Sequence, residues 1–172
     1  MLEVAAGAVW RALSCGLAEQ GLLGHALMDG GDGMVKPMIA VVDDDLEVRL
    51  FLEALLIEAG YEVQSWPSGL GAFEHLVRSP PALLILDLHL GDDPEAGWEI
   101  LTLLRAETQT ARVPVILLSA DHEFLRKREW ILRRKKHAMP LAKPFDVRVL
   151  LAQIGQALSP RDTSNTITPW PV

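Results

Sequence analysis

Four apolar runs in this 172-residue chain end in polar residues of kinds that handle metal ions or phosphoryl groups. These residues are Asp43-Asp44-Asp45, Asp87, Ser119 and Lys143-Pro144. Several carboxylates close together repel one another, and a hard cation that prefers oxygen ligands, such as Mg²⁺, relieves the repulsion. A lysine and a hydroxyl facing that cation would complete a cradle for phosphoryl oxygens. The residue types therefore predict a magnesium-dependent phosphoryl site, if the fold brings them together.

The elements that must position these residues alternate along the chain. From Met38 onward, short apolar runs alternate with helical patterns, which is typical of a parallel sheet flanked by helices. Because the ligand site of an open parallel sheet lies at the carboxyl ends of its strands, the polar residues should meet at one edge. Strands are predicted over 38–42, 61–65, 82–86, 113–118 and 139–142. Helices are predicted over 46–59, from the turn at 66–69 through Val77, over 98–105 and 122–135, and after Asp146.

Four motifs in this order resemble the receiver domain of bacterial two-component response regulators. They are Ile39-Ala40-Val41-Val42-Asp43-Asp44-Asp45, Leu84-Ile85-Leu86-Asp87, Val115-Ile116-Leu117-Leu118-Ser119-Ala120 and Lys143-Pro144-Phe145. The resemblance covers residues 37–158. It implies a flavodoxin-like, doubly wound parallel sheet of five strands in the order 2-1-3-4-5, with three α/β/α layers and an extra N-terminal helical segment.

The resemblance also implies a role for each site residue. Asp87 would accept a phosphoryl group from a sensor histidine kinase or a histidine phosphotransfer protein. Mg²⁺ would be bound by Asp43, Asp44, Asp87 and the backbone carbonyl of His89. The phosphoryl group would be surrounded by Ser119, Ala120 and Lys143. Its hydrolysis would be tuned by His89 and Asp121. The chain would then be a stand-alone, phosphorylation-dependent switch or relay, not an enzyme beyond its own phosphorylation and dephosphorylation.

Four features depart from the usual receiver pattern. Gly91 stands where a proline usually follows the phosphoacceptor, and the segment between Gly91 and Gly97 is about two residues longer than usual. Its carboxylates are expected to strengthen cation binding, to repel an anionic phosphodonor or simply to form a solvated loop. Pro140 occupies the place of the usual aromatic switch residue, and Lys136 stands where a glycine usually precedes the last strand. Two interpretations follow: output by helix or backbone movement, or a phosphoryl sink with little output.

A basic helix stands out from an otherwise acidic protein. Residues 38–125 hold 4 Lys/Arg and 16 Asp/Glu, whereas residues 126–136 hold seven basic residues and one acidic residue. Trp130 should point outward, and its neighbours at helical spacing are Arg126, Lys127, Arg133 and Arg134. Two interpretations stay open: a binding surface of helix 122–136 for an acidic downstream protein, or a solvated face whose arginine stems cover the ring.

The two ends of the chain predict segments outside this domain. Leu2, Val9, Leu13 and Leu17 recur at helical spacing, and residues 29–33 form a glycine-rich linker. The helix is either a docking or dimerisation element or an appendage without function. The expected organisation is an extension and linker over 1–36, the receiver over 37–158 and a flexible tail over 159–172.

Composition narrows the function classes. A net charge of −7 argues against binding nucleic acid through the phosphate backbone, and no helix pair that binds DNA is expected after the last helix. The longest uncharged stretch of the apolar N-terminal region, residues 20–28, is far shorter than the roughly 20 residues that span a bilayer. The single cysteine, Cys15, cannot form an internal disulfide. Together these features favour a cytoplasmic protein.

Two alternatives belong to other function classes. A degenerate receiver would act as a constitutive protein-binding module, although all expected site positions are filled. A Mg²⁺-dependent phosphohydrolase would use Asp87 as its nucleophile, but the haloacid-dehalogenase pattern expects an aspartate where this chain has His89.

Overall fold

The computed structural model of the chain describes residues 36–159. The predicted N-terminal helix, its linker and nearly all of the predicted tail lie outside the described residues. The strands are β1 Met38–Val42, β2 Glu62–Trp66, β3 Leu83–Asp87, β4 Val115–Ser119 and β5 Ala138–Ala142. The helices are α1 Leu46–Glu58, α2 Gly69–Arg78, α3 Ala96–Ala106, α4 His122–Lys135 and α5 Val147–Leu158.

The five strands form one parallel sheet in the order β2-β1-β3-β4-β5. The predicted fold class, a doubly wound sheet of flavodoxin type, is confirmed. Every residue of β3 and β4 is buried, as expected for central strands that are covered on both faces. The order reverses beside β1, which places the carboxyl ends of β1 and β3 at the edge where such sheets bind ligands.

Side chains that alternate along the strands divide the core into two layers. On one face, Ala40 and Val42 pack with α2, α3 and α4. On the other face, Ile39 and Val41 pack with α1 and α5. The alternation follows from the two-residue period of a strand, and it gives the three-layer arrangement that the sequence predicts. Within residues 36–159, no helix is long and apolar enough to cross a membrane.

Four strand starts differ from the prediction. β3 begins one residue later, at Leu83, and β5 begins one residue earlier, at Ala138. β2 and β4 begin later because backbone N–H groups have other partners. The N–H of Tyr61 donates to Leu56 O at 3.0 Å and closes the end of α1, so β2 begins one residue later, at Glu62. The N–H of Val113 donates to Thr110 O at 3.1 Å, and β4 begins two residues later than predicted, at Val115. Apolar content alone therefore predicts where a strand lies, but it does not predict the first residue that takes part in the hydrogen bonds of the sheet.

The spacing of Val48, Phe51, Leu52, Leu55 and Leu56 in the sequence predicts one buried face of α1, and the prediction is wrong at Phe51. Leu52, Leu55 and Leu56 are buried as predicted, but Phe51 is 36% exposed. Phe51 lies about 100° around the helix from Leu52, at the margin of the buried stripe.

Arg105 joins the end of α3 to the segment that leads into β5. Its guanidinium donates to Thr110 O at 2.9 Å, to Val113 O at 2.8 Å and also to Lys136 O. Burial lowers the pKa of Arg105 to about 10, so the group stays charged at neutral pH. These bonds satisfy carbonyls outside the regular elements and fix the start of the strand that carries Lys143 at its end.

Candidate functional site

Three carboxylates meet at the carboxyl edge of the sheet. Asp43 and Asp44 follow β1, and Asp87 is the last residue of β3. One oxygen from each lies within 4.8 Å of the others. Asp43 and Asp87 are buried, whereas Asp44 is exposed. The cluster is therefore anchored in the core and open to solvent on one side.

Lys143 reaches the cluster from the end of β5. Its Nζ donates to Asp43 Oδ2 at 2.8 Å and lies 3.0 Å from Asp87 Oδ2. The residues are far apart in sequence and meet only because β5, β3 and β1 end at the same edge. A single ammonium group bridges the two buried carboxylates, so their relative position is fixed.

The surroundings shift the pKa values of both partners. Burial raises the pKa of the Asp87 carboxyl and the charge of Asp43 adds to this, while Lys143 lowers it; the net direction is upward. Burial lowers the pKa of the Lys143 ammonium, but its hydrogen bond to Asp43 and the charges of Asp87 and Asp43 outweigh this, so the net direction is also upward. Lys143 is thus firmly positive, and Asp87 carries a negative charge that its site only partly compensates.

The three carboxylates suit a magnesium ion. Mg²⁺ prefers hard oxygen ligands and binds through a few carboxylates while keeping several waters. One lysine cannot neutralise three carboxylates. Burial, and after it the charge of Asp43, raises the pKa of Asp87, and a divalent ion would favour its charged form. The residues present therefore fit the metal. His89, two residues after Asp87, is half-buried, and ligation by its backbone carbonyl stays a prediction.

Ser119 and Ala120 lie where β4 ends, beside Lys143. Ser119 is fully buried, and its carbonyl accepts from the N–H of Lys143 at 2.8 Å. Its Oγ accepts from the N–H of Asp121 at 2.9 Å, and Ala120 is exposed. The structure thus brings Ser119, Lys143 and the carboxylates to one edge, as the sequence predicts.

Two predicted polar residues of this edge have capping roles. Asp45 Oδ1 accepts from Glu47 N at 2.8 Å and is the N-cap of α1. Asp121 Oδ1 accepts from Phe124 N at 2.8 Å and is the N-cap of α4. Asp45 is therefore not part of the metal cluster, whereas Asp121 lies one residue beyond Ala120 and its part in hydrolysis stays a prediction.

Two glycines support the site and were not predicted as part of it. A Cβ on Gly97 would lie 2.0 Å from Asp87 O, and the Gly97 N–H donates to Leu88 O at 2.9 Å. The N–H of Gly91, where φ is +69°, donates to Asp44 Oδ2 at 3.0 Å. A proline at this position would lack that N–H. The available signal for Gly97 was a glycine directly before the predicted helix 98–105. No signal indicated the bond from Gly91.

The longer segment between these glycines forms an exposed, internally bonded loop. Leu90 pairs with Asp93 in an isolated bridge, and Glu95 N donates to Asp93 Oδ1 at 2.9 Å. Glu95 lies 3.7 Å from Arg128 on α4. Asp92 and Asp93 are exposed and are not in the carboxylate cluster of the described residues, in agreement with the interpretation of a solvated loop.

The basic helix α4 presents Trp130 to solvent. The indole is 61% exposed, while Phe124, Leu125 and Leu132 are buried against the sheet. Lys127 and Arg133 pair with glutamates of the same helix, Glu123 at 2.7 Å and Glu129 at 2.9 Å. Arg126 and Arg134 are exposed. The outward orientation of Trp130 is confirmed, and two of its four predicted cationic neighbours are partly neutralised within the helix.

Arg128, which was not among the predicted surface residues, packs inward between α3 and α4. Its guanidinium lies 4.0 Å from the centre of the Phe124 ring and 5.3 Å from that of Trp98. Lys136 Nζ lies 5.4 Å from the Trp98 ring on the same helix pair. These cation–π contacts make Trp98 a packing residue of the α3–α4 interface.

Comparisons with known proteins agree with this geometry. Residues 39–155 match the family described as response regulator receiver domain. The chain is 34% identical over 117 residues to the transcriptional regulatory protein GltR of Pseudomonas aeruginosa, across 67% of this chain and 46% of that protein. It spans about half the length, or less, of the curated relatives it matches.

Two solved structures are similar at the level of the fold and of sequence. A putative response regulator from Chloroflexus aurantiacus is 27% identical, with a TM-score of 0.63 over 72% of this chain and 98% of that one. The receiver domain of sensor histidine kinase PA1611 from P. aeruginosa is 25% identical, with the same TM-score and the same two coverages. That structure holds a magnesium ion in its active-site cleft.

Proposed function

The chain belongs to the response regulator receiver domain family, and on this premise we propose that Asp87 accepts a phosphoryl group from a histidine kinase or a histidine phosphotransfer protein. Receiver domains are signalling modules of two-component systems, and an aspartyl phosphate and Mg²⁺ are typical of them. The observation that carries the proposal is Lys143, whose Nζ contacts both Asp43 and Asp87. An ammonium group in that place supplies positive charge where phosphoryl oxygens would lie.

Asp43, Asp44, Asp87 and the backbone carbonyl of His89 would bind Mg²⁺. When bound, the ion supplies positive charge that stabilises the negative oxygens of the transferred group. The Gly91 N–H holds Asp44, the one exposed carboxylate of the cluster, and Lys143 holds the two buried ones. The donor set is therefore arranged by the protein itself, through residues on three strand ends and one loop.

Transfer to Asp87 requires an in-line displacement. An oxygen of the Asp87 carboxylate forms a bond to phosphorus while the bond from phosphorus to the histidine nitrogen of the donor breaks, and the histidine leaves with that electron pair. Lys143 faces the oxygens of the transferred group, and the Ser119 hydroxyl donates to one of them. Ala120, a small exposed residue, leaves the acyl phosphate accessible to water. His89 and Asp121 tune the rate at which that water hydrolyses it.

Signal output would proceed through contacts with another protein, at the exposed surface of α4 around Trp130. Arg126 and Arg134 are exposed beside it, and Arg128 connects this helix to Glu95, in the loop that follows Asp87. A change in that loop on phosphorylation would therefore reach α4 without an aromatic switch residue at Pro140. An acidic protein in the cytoplasm is the partner that fits this surface.

Uptake of phosphate from acetyl phosphate tests the proposal. The chain should incorporate one phosphoryl group in the presence of Mg²⁺ and none after the metal is chelated. Asp87→Asn should abolish incorporation, while Asp92→Asn, a change at an exposed carboxylate of the loop, should leave it unchanged. A wild-type chain that takes up no phosphate would favour a constitutive binding module, and turnover of phosphate esters would favour a hydrolase.

A further inference from the structure

Helix α1 has an apolar face that nothing covers among the described residues. Leu46, Leu50 and Ile57 are 58%, 54% and 61% exposed, and Ala54 between them is also exposed. Their spacing of four, four and three residues aligns them in one stripe along the helix. We call these four residues the outer face of α1.

The outer face lies opposite the face that packs on the sheet. Leu52, Leu55 and Leu56 are buried in the layer that α1 shares with α5, roughly 180° around the helix from the outer face. A surface helix usually carries polar residues on the side away from the core, and an apolar stripe there indicates a contact with another element. Glu47 and Glu58 are exposed beside the stripe.

The undescribed N-terminal residues join the fold beside this helix. Pro37 directly precedes β1, and its carbonyl accepts from Glu62 N at 3.1 Å. Glu62 is only four residues beyond Glu58, the last residue of α1. The 35 residues that precede the described part of the chain are therefore connected near the end of α1 that carries Ile57.

The composition of that segment complements the outer face. Leu2, Val9, Leu13 and Leu17 recur at helical spacing, so a helix there would have an apolar stripe of its own. Helix α1 has 13 residues and is about 20 Å long. Residues 29–36 form a connection that can extend about 26 Å, enough to let a helix fold back along α1.

We propose that residues 2–28 dock as a helix on the outer face of α1. A tethered segment meets this face at an effective concentration in the range of mM, which favours it over a second copy or a separate protein. The first residue of α1, Leu46, is two positions after Asp44, so the docked helix would lie beside the phosphoryl site.

Disulfide formation tests the docking without reference to phosphorylation. Cys15 is the only cysteine of the chain, and it lies two residues from both Leu13 and Leu17, on the opposite side of the predicted helix. In a Cys15→Ser background, Leu13→Cys is combined in turn with Leu46→Cys, Leu50→Cys and Ile57→Cys. The control pair combines Leu13→Cys with Leu103→Cys. Leu103 is a 48% exposed leucine of α3, on the other side of the sheet.

At least one of the three α1 pairs should form an intramolecular disulfide about tenfold faster than the Leu103 control, because disulfides need Cα atoms within about 7 Å. The native Cys15 combined with Leu50→Cys should react at the rate of the control, since it faces away. Equal rates for all pairs would overturn the proposal and leave the face to another protein. Disulfides only between molecules would overturn it in favour of a second copy.

Discussion

The three consecutive aspartates after β1 have three different sets of neighbours. Asp43 is buried and accepts from Lys143, Asp44 is exposed and accepts from Gly91 N, and Asp45 accepts from the first turn of α1. Residue type alone could not separate them, because all three offer carboxylates within one short segment. The hydrogen-bond partners separate two candidate metal ligands from a helix cap.

Substitutions of Asp45 and Asp44 should affect different properties: stability in the first case and Mg²⁺ affinity in the second. Asp45→Ala should lower the free energy of unfolding by about 1 kcal/mol, since an N-cap is lost, and should leave Mg²⁺ affinity nearly unchanged. Asp44→Asn should weaken Mg²⁺ binding with little loss of stability. Chemical denaturation and a Mg²⁺ titration of each variant check this, with Asp45→Asn as the control that keeps the cap. Strong loss of Mg²⁺ binding in Asp45→Ala would contradict the assignment.

Removing the charge of Asp87 should stabilise the metal-free protein. The folded-state pKa of Asp87 is raised, mainly by burial, so its protonated form is favoured in the fold and stability is lost as pH rises through that pKa. Asp87→Asn does not titrate. Its Tm should therefore exceed that of the wild type at neutral pH. The difference in Tm should vanish at a pH below the ordinary pKa of an aspartate side chain.

Thermal denaturation across pH in a chelating buffer measures this difference. Saturating Mg²⁺ should then raise the Tm of the wild type more than that of Asp87→Asn, because a ligand stabilises the state that binds it. A metal-free Asp87→Asn variant that is less stable than the wild type at neutral pH would show that the contact with Lys143 outweighs burial.

At the scale of elements, the position of α3 depends on the absence of a side chain at one residue. Gly97 lies in the first turn of this helix, and a Cβ on it would lie 2.0 Å from the carbonyl oxygen of Asp87 and 2.8 Å from the Cα of Leu88. These neighbours are backbone atoms and cannot rotate away. Any Cβ at this position must displace either the helix or the end of β3, which carries Asp87.

Gly97→Ala should destabilise the fold by about 1–3 kcal/mol, the usual effect of overpacking, and should slow phosphorylation of Asp87. Gly155→Ala is the matched control, because a Cβ at Gly155 in α5 meets nothing within 4 Å. That control should raise stability by about 0.5–1 kcal/mol, as alanine favours a helix over glycine. Equal stability of Gly97→Ala and the control would show that α3 can move without cost.

The elements could be predicted from the sequence, and the contacts between them could not. The apolar run at β3 predicted a central strand buried on both faces, because such a strand shows no polar alternation. The starts of four strands were wrong; β2 and β4 begin later than predicted because the N–H groups of Tyr61 and Val113 bond outside the ladder. The contact of Gly97 with Asp87 depends on how α3 crosses the sheet, which no local pattern records.

At the scale of the whole molecule, charge is divided between two regions. Residues 38–125 carry 16 acidic and 4 basic residues, while α4 carries most of the basic residues that follow. The acidic edge of the sheet suits a cation, and the exposed surface of α4 suits an acidic protein. Trp130 is the large apolar group at the centre of that basic surface.

Trp130→Ala should separate output from phosphorylation. Uptake of phosphate should be unchanged and stability should stay within about 0.5 kcal/mol, because the residue is exposed. Affinity for the acidic output protein should fall by about 30-fold, the effect of losing a 2 kcal/mol hot spot. Titration calorimetry with that protein checks this, with Leu103→Ala on α3 as the exposed apolar control. Equal losses of binding and phosphorylation would contradict a separate output surface.

The candidate site was largely predictable because parallel strands end at one edge. Asp43, Asp44, Asp87 and Lys143 meet as the strand order requires. The supporting bonds were not predictable, since the Gly91 N–H and the Arg128 guanidinium act through loop and helix positions that only the folded chain sets. Sequence thus indicates which residues meet, and the structure shows what holds them in place.

Mapping the phosphorylated residue by mass spectrometry tests the central claim most directly. The full chain is incubated with acetyl phosphate and Mg²⁺, the acyl phosphate is trapped chemically, and the modified peptide is sequenced. We expect a single modified residue, Asp87, with Asp43, Asp44 and Asp121 unmodified. Modification at a different residue, or of none, would contradict the assignment of Asp87 as the phosphoacceptor.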